Sequence, residues 1–290
     1  MSMFKKTTLA LAISALAGGA FAQSAPAPAP APAPEPSPIT ANVTVVNDYR
    51  YRGISQSNFR PAIQGGFDYA HESGFYIGNW NSSISWIGDG YTSLNPQPSA
   101  PIEMDFYAGF KKELIAPGFA SDFGILQYYY PTTGLTGTPS ASACAGANRQ
   151  ACGVNPNTTE AYIAQNFTLG PVTGFVKFSY ALTDIFGFYK SAGSFYPDLT
   201  VNYDTGVFGI ALNGHVGYQS ITKTASADGY NFSYTDWKLG ITKDFGGGLS
   251  ANVSYVGTNA GTKNGTPLYY TPQNKNMGRS GGLVSLTKTF

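Results

Sequence analysis

From Asn42 to Phe290, apolar and polar residues alternate one by one through segments of about ten residues, each ending in a break rich in Gly, Asn, Pro or Ser. Successive side chains of a strand point to opposite faces, so each segment carries one apolar and one polar face. Ile102, Met104, Phe106, Ala108 and Phe110 share one face, and Glu103, Asp105, Tyr107, Gly109 and Lys111 share the other. Val172, Val176, Phe178, Tyr180 and Leu182 likewise oppose Thr173, Lys177, Ser179 and Thr183. A third segment sets Phe208, Ile210, Leu212, Val216 and Tyr218 against Asn213, His215 and Gln219. About twelve segments begin near residues 42, 59, 75, 101, 119, 158, 171, 195, 206, 230, 248 and 281.

The breaks alternate in length. His71–Ser73, Ala116–Pro117, Gly170–Pro171, Asp204–Gly206 and Gly246–Gly248 are short. Gly88 to Ala100, Pro131 to Asn157, Asp184 to Ser194 and Asn259 to Arg279 are long, and Gly53 to Asn58 is the one short break where the phase expects a long one. An even number of strands with tight turns at one end and long loops at the other is the layout of a membrane barrel. The expected fold is all-β: a transmembrane antiparallel up-and-down β-barrel of about twelve strands over residues 39–290, with both N- and C-termini periplasmic.

Composition agrees where a soluble β-sandwich fails. Charged residues are 11% of the chain, against about 25% in ordinary soluble domains, while Tyr reaches 20 and Phe 19. At the N-terminus, Lys5 and Lys6 precede an apolar run from Leu9 to Ala17 and the small residues of Ala20-Phe21-Ala22, which together predict a signal peptide over 1–22. That run is too short for a spanning helix, which takes about 20 residues. Residues 23–38 alternate Ala and Pro, a composition that stiffens into polyproline II and buries no core, so they are expected to form a periplasmic linker. The expected location is the outer membrane of a Gram-negative bacterium.

Val284, Leu286 and Phe290 share one face at the C-terminus, and outer-membrane barrels resemble this in ending on an aromatic. The expected partners are outer-membrane lipid, the barrel-assembly machinery through Phe290, and small hydrophilic solutes. Lys288 falls on the same face and departs from the pattern, although a long amine near the membrane border can snorkel to water. Cleavage removes two of the 17 basic residues and leaves 15 against 16 acidic ones, a balance that points away from nucleic acid.

In the first segment Thr44, Asp48, Arg50 and Arg52 oppose Val43, Val45, Tyr49 and Tyr51, and so are expected on the lumenal face. A charge there must meet water or a partner. The pore-lining candidates are Asp48, Arg50, Arg52, Asp68, Glu103, Asp105, Lys111, Lys177, Asp198, Asp236 and Lys238. They read either as a constriction selecting solutes by size and charge or as ion pairs bracing a narrow barrel. The aromatics Tyr49, Tyr51, Tyr76, Trp80, Trp86, Tyr128, Tyr129, Tyr130, Tyr180, Tyr218, Trp237 and Tyr255 fall near strand ends and are expected in interface girdles. Phe75, Tyr107, Phe175 and Tyr196, on the inward phase, are the alternative track for stacking sugars.

Cys144 and Cys152 are close in sequence in an oxidising compartment and are expected to form a disulfide. No metal or cofactor is expected, since neither of the two His residues lies near them. No catalytic residues are expected either: His71 falls in a turn, His215 in a strand, and the chain has no Gly-x-Ser-x-Gly elbow and no His-Glu-x-x-His. The expected function is a porin-like channel for passive diffusion of small hydrophilic solutes. The alternatives are a plugged structural or adhesive barrel and, more remotely, an outer-membrane enzyme.

The stretch Asn42-Val-Thr-Val-Val-Asn-Asp-Tyr-Arg-Tyr-Arg-Gly-Ile-Ser-Gln-Ser, continuing through Pro61-Ala-Ile-Gln-Gly-Gly-Phe-Asp-Tyr and His71-Glu-Ser-Gly-Phe-Tyr-Ile-Gly-Asn-Trp80, resembles the TorF family of porin-like proteins. The resemblance implies a barrel and a porin role and carries over no ligand or catalytic residue.

Overall fold

The computed structural model describes residues 37–90, 99–132, 155–222, 230–271 and 273–290. The expected signal peptide, nearly all of the linker and the Cys144–Cys152 pair lie outside the described residues.

The elements in chain order are β1 (Ile39–Val46), β2 (Arg50–Tyr51), β3 (Ile54–Ser55), β4 (Ala62–Ala70), β5 (Phe75–Ser83), α1 (Trp86–Gly90), β6 (Ile102–Ala116), β7 (Phe119–Tyr129), β8 (Thr158–Leu169) and β9 (Val172–Ala181). They continue with β10 (Phe195–Asp204), β11 (Ile210–Gln219), β12 (Tyr234–Gly246), β13 (Leu249–Thr258), β14 (Thr262–Lys263), β15 (Thr266–Pro267) and β16 (Gly281–Thr289). Twelve of them close into one antiparallel barrel in which each strand neighbours the next in sequence and β1 meets both β4 and β16. Thr44 pairs with Gln64 on one side and Thr287 on the other, and the two threonine hydroxyls bond across the seam at 2.8 Å. Closure leaves no barrel strand with an unpaired edge.

The connections alternate as the sequence implies. At one end lie the turns 71–74, 117–118, 170–171, 205–209 and 247–248, and from the other start and return the longer connections between Val46 and Ala62, Ser83 and Ile102, Tyr129 and Thr158, Ala181 and Phe195, Gln219 and Tyr234, and Thr258 and Gly281. Gly118 and Gly170 hold two of the tight turns at φ of 82° and 59°, where a side chain would be strained. Both ends of the barrel chain emerge at the turn end.

The outward face is apolar: Val43, Val45, Ile63, Phe67, Ile125, Val176, Leu212, Ile241, Val253 and Val284 all stand exposed on it. Near the loop end Tyr129, Tyr180, Tyr218 and Tyr255 join this face. Lys288 stands at the turn end, where its amine reaches the Gly247 carbonyl and so escapes the apolar band.

Three expectations are corrected. β1 stops at Val46 rather than running through Arg52, because the Asn47 side chain takes over the next pairing with β16: its Oδ1 accepts from the Val284 amide at 2.8 Å and its Nδ2 donates to the Gly282 carbonyl at 3.2 Å. The connection to β4 is therefore the long loop 47–61, and the short outer connection expected at Gly53 to Asn58 does not exist. Second, Tyr49, Tyr76, Trp86, Tyr128 and Tyr130 are buried and Tyr51 and Trp80 are half-buried inside the barrel, so none of these seven belongs to a girdle. All but Tyr76 pack in the apolar core that the inward-folded loops offer, and Tyr76 turns into the lumen, where its hydroxyl donates to Asp122. Phe75 is also corrected, from the lumen to the exposed outer face.

Candidate functional site

Loop 47–61 folds into the barrel as a hairpin. β2 pairs with β3, Arg50 opposite Ser55 and Tyr51 opposite Ile54, around a two-residue turn with Arg52 at φ 44° and Gly53 at φ 76°. Two positive φ values define the turn that matches the natural twist of a hairpin. Asp48 braces its base, accepting from Arg50 Nε at 2.5 Å and from the Ser55 hydroxyl at 2.6 Å.

The hairpin spans the lumen and touches most of the wall. Tyr49 donates to Glu103 of β6 at 2.6 Å and packs edge-on against Trp80 of β5. Tyr51 bonds Tyr128 of β7, hydroxyl to hydroxyl, at 2.5 Å. Arg52 donates to both Glu160 oxygens of β8, at 3.0 and 2.7 Å, and to Gln219 of β11 at 2.6 Å, and it lies 4.1 Å from the Tyr196 ring of β10. Arg50 donates to the carbonyls of Met277 and Arg279 at 3.1 and 3.0 Å, tying the hairpin to loop 259–280. Glu103, Tyr128, Glu160, Tyr196 and Gln219 all lie close to the loop ends of their strands.

Inward-folded loops pack around this hairpin. One apolar cluster gathers Tyr49, Ile84, Trp86, Ile87, Tyr128 and Tyr130, and another gathers Ile54, Ile185, Phe188, Phe232, Leu268 and Tyr269. The Arg52 and Glu160 side chains are 6% and 1% exposed, so the pair is held almost wholly out of water. Burial disfavours the charge on Arg52, the Glu160 carboxylate favours it, and the carboxylate prevails, holding the guanidinium above its ordinary pKa.

Gly53 sets how closely the turn approaches the wall. A Cβ there would collide with Thr258 and Asp236 and would sit at a φ that a branched residue resists. Gly53→Val is expected to loosen the docked hairpin by about 1–3 kcal/mol. The check is limited proteolysis of the folded barrel, with faster cleavage within 47–61 as the expected result.

On the turn side of the hairpin lie two cavities. One, of about 290 Å³, is lined by Arg50, Arg52, Lys177, Asp198, His215, Asp236 and Lys238 among others. His215 is held on both ring nitrogens, by Asp198 at 3.0 Å and Asp236 at 2.9 Å. The other, of about 310 Å³, is lined by Asp68, Asp105, Asp122, Lys111, Lys177 and the rings of Tyr76, Trp80, Tyr107 and Tyr162. There Tyr107 donates to Asp68 at 2.5 Å, Tyr76 donates to Asp122 at 2.6 Å, and Lys111 donates to Asn166 at 3.3 Å. Nearer the turn end of β10 to β13, Asn202, Asn213, Thr242 and Asn252 are bonded in a ladder.

The candidates thus divide into three groups. Asp48, Arg50 and Arg52 stand on the hairpin, Glu103 anchors it, and Asp68, Asp105, Lys111, Lys177, Asp198, Asp236 and Lys238 line the cavities. Glu160, Asp122 and Gln219 were missed as partners. Glu160 and Asp122 fall on the polar phase of β8 and β7, so the same alternation was available to find them.

Residues 30–290 match the family model described as "Bacterial protein of unknown function (Gcw_chp)". No curated protein matches the chain. Among solved structures, the NanC porin superimposes with a TM-score of 0.52 at 8% identity, covering 86% of this chain and 98% of that one. The KdgM porin in complex with disordered oligogalacturonate gives 0.47 at 6% identity, covering 87% and 97%. The Pseudomonas putida toluene transporter TodX gives 0.45 at 8% identity, covering 88% and 89%. The superposition on the NanC porin shows a shared fold, a closed barrel of the kind found in outer-membrane porins.

Proposed function

Starting from the premise that this chain belongs to the Gcw_chp family of bacterial proteins and folds as a porin-like barrel, we propose that it is an outer-membrane channel for small hydrophilic solutes, closed at its loop end by the hairpin 47–61. The observation that carries this reading is a polar lumen whose loop end is closed by the hairpin 47–61 and the loops packed on it, with cavities left open beneath them. Cavities of about 290 and 310 Å³ sit directly below the hairpin, and charged and hydroxyl groups line them. Movement of the hairpin and its packed loops joins these cavities to the outside. In this reading the turn end is periplasmic, the apolar outer face meets lipid, and the terminal Phe290 engages the assembly machinery. The narrower TorF placement is supported by the residues between Asn42 and Trp80.

A non-catalytic role is supported by His215, whose two nitrogens are both committed to carboxylates, which leaves no lone pair to act as a base. The buried Arg52–Glu160 pair also favours a second reading, a permanently plugged barrel. Bilayer conductance of the refolded protein separates the two. A Gln56→Cys/Ser85→Cys pair in a Cys144→Ser/Cys152→Ser background joins the hairpin to the chain beside β5, where the Ser85 amide bonds the Gln56 carbonyl at 2.9 Å. The expected result is near-silence when oxidised and discrete current steps on reduction. Silence in both states of a folded barrel rejects the channel.

A further inference from the structure

We propose that the cavity beneath the hairpin on the β4–β8 side of the lumen is a binding site for a primary organic ammonium ion. Three carboxylates, Asp68, Asp105 and Asp122, and two lysine amines, Lys111 and Lys177, line that cavity. The local bonds single out one carboxylate. Asp68 accepts from Tyr107 and Asp122 from Tyr76, while Lys111 is engaged by Asn166 and Lys177 lies 4.0 Å from the centre of the Tyr162 ring. Asp105 is 8% exposed, and its Oδ1 is buried with no hydrogen-bond partner. A buried carboxylate oxygen in that state is costly, and a positively charged donor relieves the missing bond.

The rest of the lining narrows the class. Tyr76, Trp80, Tyr107 and Tyr162 present four rings to the same space, and aromatic faces attract organic cations. Among the described residues no group of three or more acidic, His or Cys side chains is placed to hold a metal ion, so the carboxylates do not converge as an inorganic cation requires. An orphaned acceptor calls for an N–H donor, which a primary ammonium has and a quaternary one lacks. The volume of about 310 Å³ equals roughly ten waters at about 30 Å³ each, enough for a short alkylammonium.

This deepens the channel reading by naming a solute class, but it is tested by binding alone. Titration calorimetry of the full barrel in detergent uses n-butylammonium chloride at constant ionic strength, with sodium chloride, tetramethylammonium chloride and n-butanol as separate arms. The expected result is saturable binding of butylammonium, at least tenfold weaker binding of the other three, and a tenfold or greater loss in Asp105→Asn. Equal binding of butanol makes the site merely apolar, and equal binding of sodium makes it a general cation site. Either outcome overturns the proposal, as does full affinity in Asp105→Asn. The wild-type arms need no variant to fold. A silent channel that still binds butylammonium refutes transport and leaves the site standing.

Discussion

Reversal of Arg52 to glutamate is expected to raise the open-channel fraction about a hundredfold or more in planar bilayers. The wild-type guanidinium meets Glu160 through two bonds and Gln219 through a third, all out of water. Removing one partner of a buried ion pair costs about 3–5 kcal/mol. Each 1.4 kcal/mol is about tenfold in an equilibrium, so the docked hairpin loses about two to three orders of magnitude against the displaced one. Like-charge repulsion with Glu160 adds to this. Arg52 also occupies the left-handed region at φ 44°, so part of its favourable pairing is already offset by backbone strain. The double reversal Arg52→Glu/Glu160→Arg is expected to recover much of the closed state. A folded Arg52→Glu barrel with wild-type currents removes the hairpin as the closing element.

A substitution on the opposite side of the wall has an equally large effect of a different kind. Val253→Arg is expected to destabilise the barrel by about 2–4 kcal/mol, measured by reversible urea unfolding in lipid vesicles, with unchanged conductance in the molecules that remain folded. Val253 stands midway along β13, 59% exposed on the outward face, between Ile241 of β12 and Val284 of β16. An arginine there has no aqueous rim within reach, unlike Lys288 at the turn end. Full stability of the arginine variant contradicts a lipid-facing outer wall.

The period of two made the barrel legible. Segments placed near residues 75, 119, 158, 195 and 281 begin where β5, β7, β8, β10 and β16 begin, and the others lie within a few residues of their strands. Alternation records which face a residue takes as long as the chain stays extended, and it stays blind to where the chain leaves the sheet. Val43, Val45, Arg50 and Arg52 continue one pattern smoothly across Asn47, yet the first two are in the wall and the last two in the hairpin. The signal for the departure was local and easily read as ordinary polarity: Asn47-Asp48, then a glycine after Arg52. Trp86, Tyr128 and Tyr130 were illegible for a related reason. A position near a strand end suits a girdle equally well whether its side chain turns to lipid or to an inward-folded loop, and only the tertiary packing of those loops decides.

The closing hairpin is covalently joined to the strand that completes the ring, and this imposes an order of events on biogenesis. β1 meets β16 across nearly the full length of the barrel chain, as the Thr44–Thr287 pair shows. Pairings so distant in sequence form late. The receptors for Arg52, Tyr51 and Gly53 are spread over β7, β8, β11, β12 and β13. None of them surrounds a lumen until β1 has zipped to its last partner. A chain whose β1 has not yet met β16 therefore lacks a complete seat for the hairpin, which docks only when the circle is whole.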